Sequence, residues 1–162
     1  MPITPNVPAP IVRYFMPGTT QILFCATISN TSAPTFTELD NGYEITRDWA
    51  DWSGWTVTTN FIKMPGLQNR FVSQLPGRIE AADSSITFYE DKTQLDLRTL
   101  MPRDTTGYIV IANGGLASAR GDIFKVQVAT VTKLRDAEDA GKIRIDYAIL
   151  EQPAEDVTLP QS

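Results

Sequence analysis

Apolar positions along this chain come in short alternating runs broken by turn residues. That period-two pattern predicts strands. The cleanest run is 121–134, where Ile123, Lys125, Gln127, Ala129 and Val131 alternate with Phe124, Val126, Val128, Thr130 and Thr132. A charged turn, RDAEDAGK, joins it to IRIDYAIL, which places Ile143, Ile145, Tyr147 and Ile149 on one face. The two segments predict a hairpin. Ahead of them, GYIVIANGG reads as a strand ending in a glycine turn, and RIEAADSSITFYED (78–91) as a strand with a bulge near Asp83-Ser84. From Thr20, Ile22, Phe24, Ala26 and Ile28 alternate with Gln21, Leu23, Cys25 and Thr27, a largely buried strand. TFTEL (35–39) is expected as a further short strand before the turn DNG.

The one helical pattern is KTQLDLRTLMP. Leu97, Leu100 and Met101 fall at i, i+3 and i+4, Asp91 or Thr93 is expected to cap the start, and Pro102 stops it. So short a helix is stable only when packed on a sheet. Four prolines in residues 1–14 predict an extended arm that either frays or docks on a neighbour through Ile3, Val7, Ile11 and Val12. Residues 153–162 read as a polar C-terminal tail, and 15–152 as a single domain. The expected fold class is mainly β: some seven strands in a β-sandwich or small β-barrel, with one flanking α-helix, a long inter-strand loop and extended terminal arms.

That loop is the excursion over 43–77, which lacks a sustained period. Excursions of such length are usually functional or ordered by a partner. WTVTTNFIK within it suggests a β-ribbon. The segment also holds all three tryptophans, in RDWADWSGW. As a regular strand it would put Trp49 and Trp55 on one face and Trp52 on the other. Three roles fit the cluster: a small internal core, a subunit or partner interface, or a sugar-stacking platform. Aromatic residues dominate interface centres. The candidate interface set is therefore Trp49, Trp52, Trp55, Phe61, Met64 and Phe71.

Composition narrows the chemistry. The chain has 162 residues, a net charge of −5 and a pI near 4.7, and its 14 basic residues are scattered, so a phosphate-gripping role is disfavoured. There is no histidine, hence no imidazole base, triad or His metal ligand. Cys25 stands alone inside ILFCA and reads as a small buried hydrophobe. DAEDAG (136–141) matches part of a calcium loop, but Ala140 and Tyr147 occupy two ligand positions. NGGLASARGD has no Lys-Ser/Thr pair, so it is no phosphate cradle, and its Arg120-Gly121-Asp122 is too short to specify adhesion. Asp48/Asp51 and Asp136/Glu138 lack the apolar setting that would make a catalytic pair. No enzyme, cofactor or metal is expected. The N-terminus has no signal-peptide layout and no apolar run spans a membrane, so a soluble chain made in a reducing cytoplasm is expected.

The order of elements resembles the major tail tube proteins of long-tailed, non-contractile bacteriophages of the lambda type. The resemblance covers about residues 10–150. It runs through the Pro-rich arm into PGTTQILF, the Trp-bearing insertion, SSITFYEDKTQLDLRTL, GYIVIANGG and the hairpin GDIFKVQVATVTKLRDAEDAGKIRIDYAI. This chain departs from that pattern by ending soon after Ile149, without an appended immunoglobulin-like domain. The resemblance implies hexameric rings stacked into a hollow tube, with the long loop and the arms reaching adjacent rings. It implies a virion protein assembled in the host cytoplasm, genome passage through the lumen without specific DNA binding, and partnership with tape measure, tail terminator and distal tail proteins. The runner-up reading is a monomeric or dimeric β-sandwich module that binds carbohydrate through Trp49, Trp52 and Trp55.

Overall fold

A computed structural model describes residues 2, 4, 5, 8–10, 13, 15–90, 97–118 and 120–161. In order, the elements are β1 (Gln21–Cys25), α1 (Phe36–Asp40), β2 (Tyr43–Glu44), a 3-10 turn (Thr46–Asp48), β3 (Trp49–Ser53), β4 (Val57–Met64) and β5 (Ser73–Ala81). There follow β6 (Ser84–Tyr89), α2 (Leu97–Leu100), β7 (Thr106–Ala112), a second 3-10 turn (Leu116–Ser118), β8 (Arg120–Leu134), β9 (Lys142–Ile149) and β10 (Ala154–Thr158). The class is mainly β, as the alternation predicts.

One antiparallel sheet carries the domain in the order β2-β1-β7-β8-β9-β6-β3, with β10 also paired to β8. The sheet rolls upon itself, because residues from both halves meet in one core. Ile22 and Phe24 of β1, Ile109 and Ile111 of β7, and Phe124, Val126 and Val128 of β8 meet Ile86 and Phe88 of β6 and Ile143, Ile145 and Tyr147 of β9. Leu97 and Met101 close this core, as the i, i+4 spacing predicts. The cap positions expected for this helix, Asp91 or Thr93, lie outside the described residues. Tyr147 Oη donates to Met101 Sδ at 3.3 Å, and burial pushes the phenol pKa upward. A second core lies on the opposite face of β1, β7 and β8, where Leu23, Cys25, Val110, Ala112 and Ile123 are covered by Leu39, Val157 and Leu159.

Three expectations are corrected. TFTEL is a helix, not a strand. Thr35 Oγ1 accepts from the backbone N–H of Glu38, and the Glu38 carboxylate accepts from that of Thr35, a reciprocal cap that starts α1. The polar tail is β10. Val157 and Leu159 are its only large aliphatic residues, and with Ala154 they seat it on the second core. The bulged strand over 78–91 is two strands, split at Ala82-Asp83: β5 pairs with β4 in a separate two-stranded ribbon, while β6 joins the main sheet. The excursion is thus shorter than 43–77 at its start and longer at its end, since β3 belongs to the sheet and β5 runs to Ala81. Of the N-terminal arm, the described residues are exposed and outside any element, while Ile3, Val7, Ile11 and Val12 lie outside the described residues.

Candidate assembly surface

The three tryptophans converge on one side of the sheet, contrary to simple alternation, and the backbone explains why. β3 pairs with β6 through Trp49↔Phe88, Asp51↔Thr87 and Trp52↔Ile86, so one extra residue sits between Trp49 and Asp51. A bulge of this kind reverses the side-chain alternation. It places both Trp49 and Trp52 opposite core residues. Trp55 is brought round by a turn in which Gly54 has φ +84° and Trp55 itself φ +62°. A Cβ on Gly54 would stand 2.2 Å from the carbonyl oxygen of Asp83, so only glycine fits there.

Each indole then takes a different place. Trp55 packs edge-on against Phe124 at 5.2 Å and lies 5.4 Å from Tyr147. Its Nε1 donates to the carbonyl of Ser85 at 3.2 Å, and its backbone N–H donates to Ser84 Oγ at 3.0 Å. Trp49 and Trp52 meet edge to face at 5.9 Å and wall a cleft of about 430 Å³ together with Met16, Pro17, Ile22 and Thr46. All three rings are half-buried against the main core. The small-core role is therefore real for part of each ring. Flat exposed rings, which stacking of sugars requires, are not formed. Trp49 Nε1 is buried with no hydrogen-bond partner, an uncommon condition for an indole.

Phe61, Met64 and Phe71 stand apart from this cluster, on the β4–β5 ribbon and its tip. They are 62%, 48% and 75% exposed, and Leu67 at the tip is fully exposed. The register puts Ile62, Met64 and Leu75 on one ribbon face and Val57, Phe61 and Ile79 on the other. Eight of the 15 large exposed hydrophobic side chains among the described residues lie between Phe61 and Ile79. The candidate interface set lacks Ile62, Leu67, Val72, Leu75 and Ile79 here, and Met16, Pro17 and Ile22 in the cleft. The alternation in WTVTTNFIK was the available signal for Ile62. The cleft residues come from distant segments and had none.

Several of the remaining charged groups form surface pairs. Arg144 Nε donates to Asp146 at 3.0 Å on the outer face of β9, and Lys125 reaches Glu151 at 2.8 Å. No cluster of His, Cys, Asp or Glu able to hold a metal occurs among the described residues, and no helix there is long and apolar enough to cross a membrane.

This fold has counterparts among known proteins. The phage tail tube protein family matches residues 8–162, nearly the whole chain. The chain belongs to that family. No curated protein sequence matches it. Among solved structures, a chain of the anti-feeding prophage baseplate, determined by cryo-EM with 6-fold symmetrisation, superposes with a TM-score of 0.59 at 12% identity. The match covers 92% of this chain and 98% of that one. A chain from the sheath/tube terminator of an extracellular contractile injection system gives 0.59 at 11% identity, over 92% and 98%. One from the anti-feeding prophage tube-terminating cap gives 0.56 at 12%, over 93% and 94%. At such identities the likeness is one of fold. Family membership makes this tail tube protein a structural component of a phage tail.

Proposed function

We propose that this tail tube protein assembles as hexameric rings that stack into a hollow tube, through which the genome passes to the host. The observation that carries the proposal is the ribbon. A two-stranded ribbon with apolar side chains on both faces is marginal in water, and apolar patches of this extent mark protein contacts. Copies of the same chain supply the cover most simply. The interface role of Trp49, Trp52, Trp55, Phe61, Met64 and Phe71 belongs to this proposal, the tryptophans through their outward half. The 6-fold symmetry of the baseplate to which one structural relative belongs supports the ring count. The finer assignment to a lambda-type, non-contractile tail rests on the order of elements in the sequence; a tube imaged in its virion without a sheath would bear it out. Tape measure, tail terminator and distal tail proteins are the proposed partners, and the host cytoplasm the place of assembly.

The polar face of β3, β6, β9 and the distal part of β8 suits the lumen. The register puts Asp51, Ser53, Thr87, Thr130, Thr132 and Asp146 on it, beside the Arg144 that Asp146 holds. Hydroxyls and a neutralised guanidinium give a polyanion little counterion release, so DNA slides past instead of sticking. Negative-stain microscopy of concentrated protein tests the proposal: rings or tubes are expected, and a strictly monomeric protein that changes its tryptophan fluorescence with glycans would replace it with the carbohydrate-binding reading.

A further inference from the structure

The N-terminal arm repeats proline every third residue. Pro2-Ile3-Thr4-Pro5 and Pro5-Asn6-Val7-Pro8 are two overlapping Pro-x-x-Pro steps. A polyproline II strand has three residues per turn and no internal hydrogen bonds, so in that conformation Pro2, Pro5 and Pro8 share one edge and every carbonyl is free. Strands of this type are recognised by aromatic-lined grooves. The cleft walled by Trp49 and Trp52 is such a groove, and the arm runs directly into it, since Met16 and Pro17 also line it. We propose that the cleft is the seat of the chain's own arm, which closes over Trp49 and Trp52 as a strap.

Shape, charge and tether support the match. The planes of Trp49 and Trp52 stand at 78° to each other, a corner and not a flat platform. A closed apolar cavity of ~150 Å³ already accepts a benzene ring, so a cleft of about 430 Å³ has room for two pyrrolidine rings. None of the residues lining the cleft is charged, and no charged side chain precedes Arg13 in the arm, so seating buries no side-chain charge. The ribbon, the other long apolar segment, carries Lys63, Arg70 and Arg78 and suits such a cleft less well. Trp49 holds a buried indole N–H without an acceptor, and a turn of that ring as the arm seats would give it one of the free arm carbonyls. Residues 9–15 are the tether. A tether this short holds the arm at about millimolar effective concentration, so even a weak contact is populated. Pro2, Pro5 and Pro8 are exposed in the structure, which shows the strap open. Closed, it covers the outward half of both rings until another copy displaces it. That displacement rests on the tube proposal above; the seating of the arm does not.

The test uses dilute full-length protein carrying Pro5→Asp and Pro8→Asp together, which put charge on the seating edge. Both positions are exposed and outside any element, so the urea midpoint should stay that of the wild type. Tryptophan emission of the variant is expected to lie at longer wavelength than that of the wild type, and acrylamide to quench it more. A peptide of residues 1–14, added up to about millimolar, the concentration that the tether supplies, should reverse both changes. Asn6→Asp with Ala9→Asp, the same charge on another edge, should keep the wild-type emission. The inference is overturned by a proline variant that emits and quenches like the wild type, by an equal change in the control, or by a peptide that reverses nothing. It also falls if the difference appears only as protein concentration rises, which assigns the arm to another copy. A wild type that shows the emission difference yet forms neither rings nor tubes overturns the tube proposal and leaves the strap standing. Tubes without any emission difference do the reverse.

Discussion

Removing the ribbon separates folding from assembly. Thr56 and Ala82 flank it, and the N–H of Ala82 already donates to the carbonyl of Thr56 at 3.0 Å. Replacing residues 57–81 with Gly-Gly would make that hydrogen bond the closure of a two-residue β-turn. The loss to the fold is small. The ribbon's internal hydrogen bonds disappear together with its ordering cost, ~1–2 kcal/mol per residue. What the body loses is partial cover from Val57 and Ile79 beside Ile149 and Leu150, about 1–2 kcal/mol. Domains of this kind have about 5–15 kcal/mol in hand. Assembly loses far more. Full burial of a large apolar side chain contributes about 1.5–3 kcal/mol, so eight half-exposed ones forfeit about 6–12 kcal/mol gross. If a third of that survives the entropic cost of association, the association constant falls roughly thirty- to several-hundredfold. All three tryptophans remain, so urea unfolding followed by their fluorescence reports the fold, while sedimentation and negative stain report assembly. A variant that still forms tubes refutes the reasoning about the ribbon, and one that does not fold refutes the claim that the ribbon stands outside the core.

Trp55→Ala should destabilise the monomer by ~3–5 kcal/mol in urea titrations, because it vacates the contact with Phe124 and Tyr147; a loss below ~1 kcal/mol would mean that the ring contributes only at an interface. The Glu38 carboxylate accepts from the Thr35 N–H, the Ser29 Oγ–H and the Ser29 N–H, which hold its pKa near 2. Its folded-state pKa is depressed, so its stabilisation is present above about pH 4.5 and is lost as pH falls toward 2. The urea midpoints of the wild type and Glu38→Gln should accordingly converge across that window, and parallel curves would exclude this role. Cys25, with its thiol raised to about 11, should resist an aromatic disulfide reagent at pH 8 until the protein is unfolded; reaction of the native state at the rate of a free thiol would contradict its burial.

Much of this fold was legible because its strands obey their period. Ile143, Ile145 and Tyr147 face the core as alternation requires, and Leu97 and Met101 pack as their spacing requires. The failures have local causes. At 35–39, Thr and Phe suggested β-propensity, but the Thr35–Glu38 reciprocal cap favoured a helix; the T-x-x-E spacing was there to be read. In RDWADWSGW, the extra residue beside Trp49 shifts the phase, and a bulge leaves no composition signature. Another register shift between Val128 and Thr130 turns Val131 toward the core, where strict alternation would point it outward. β10 has too few apolar residues to announce itself, and its place is set by a partner strand some thirty residues away. The cleft combines Pro17, Ile22 and Trp52, which only the folded chain brings together.

Strand β8 has a mechanical consequence. Ile123 and Phe124 are consecutive, yet one belongs to each apolar cluster, and the same strand bonds to β7, β9 and β10. Neither cluster can melt while the other stays dry, since losing the strand strips both at once. The subunit should therefore show a single calorimetric transition with no half-open species. In a conduit, that would make every wall element as stiff as its neighbours, with no weak seam along which internal pressure could split it.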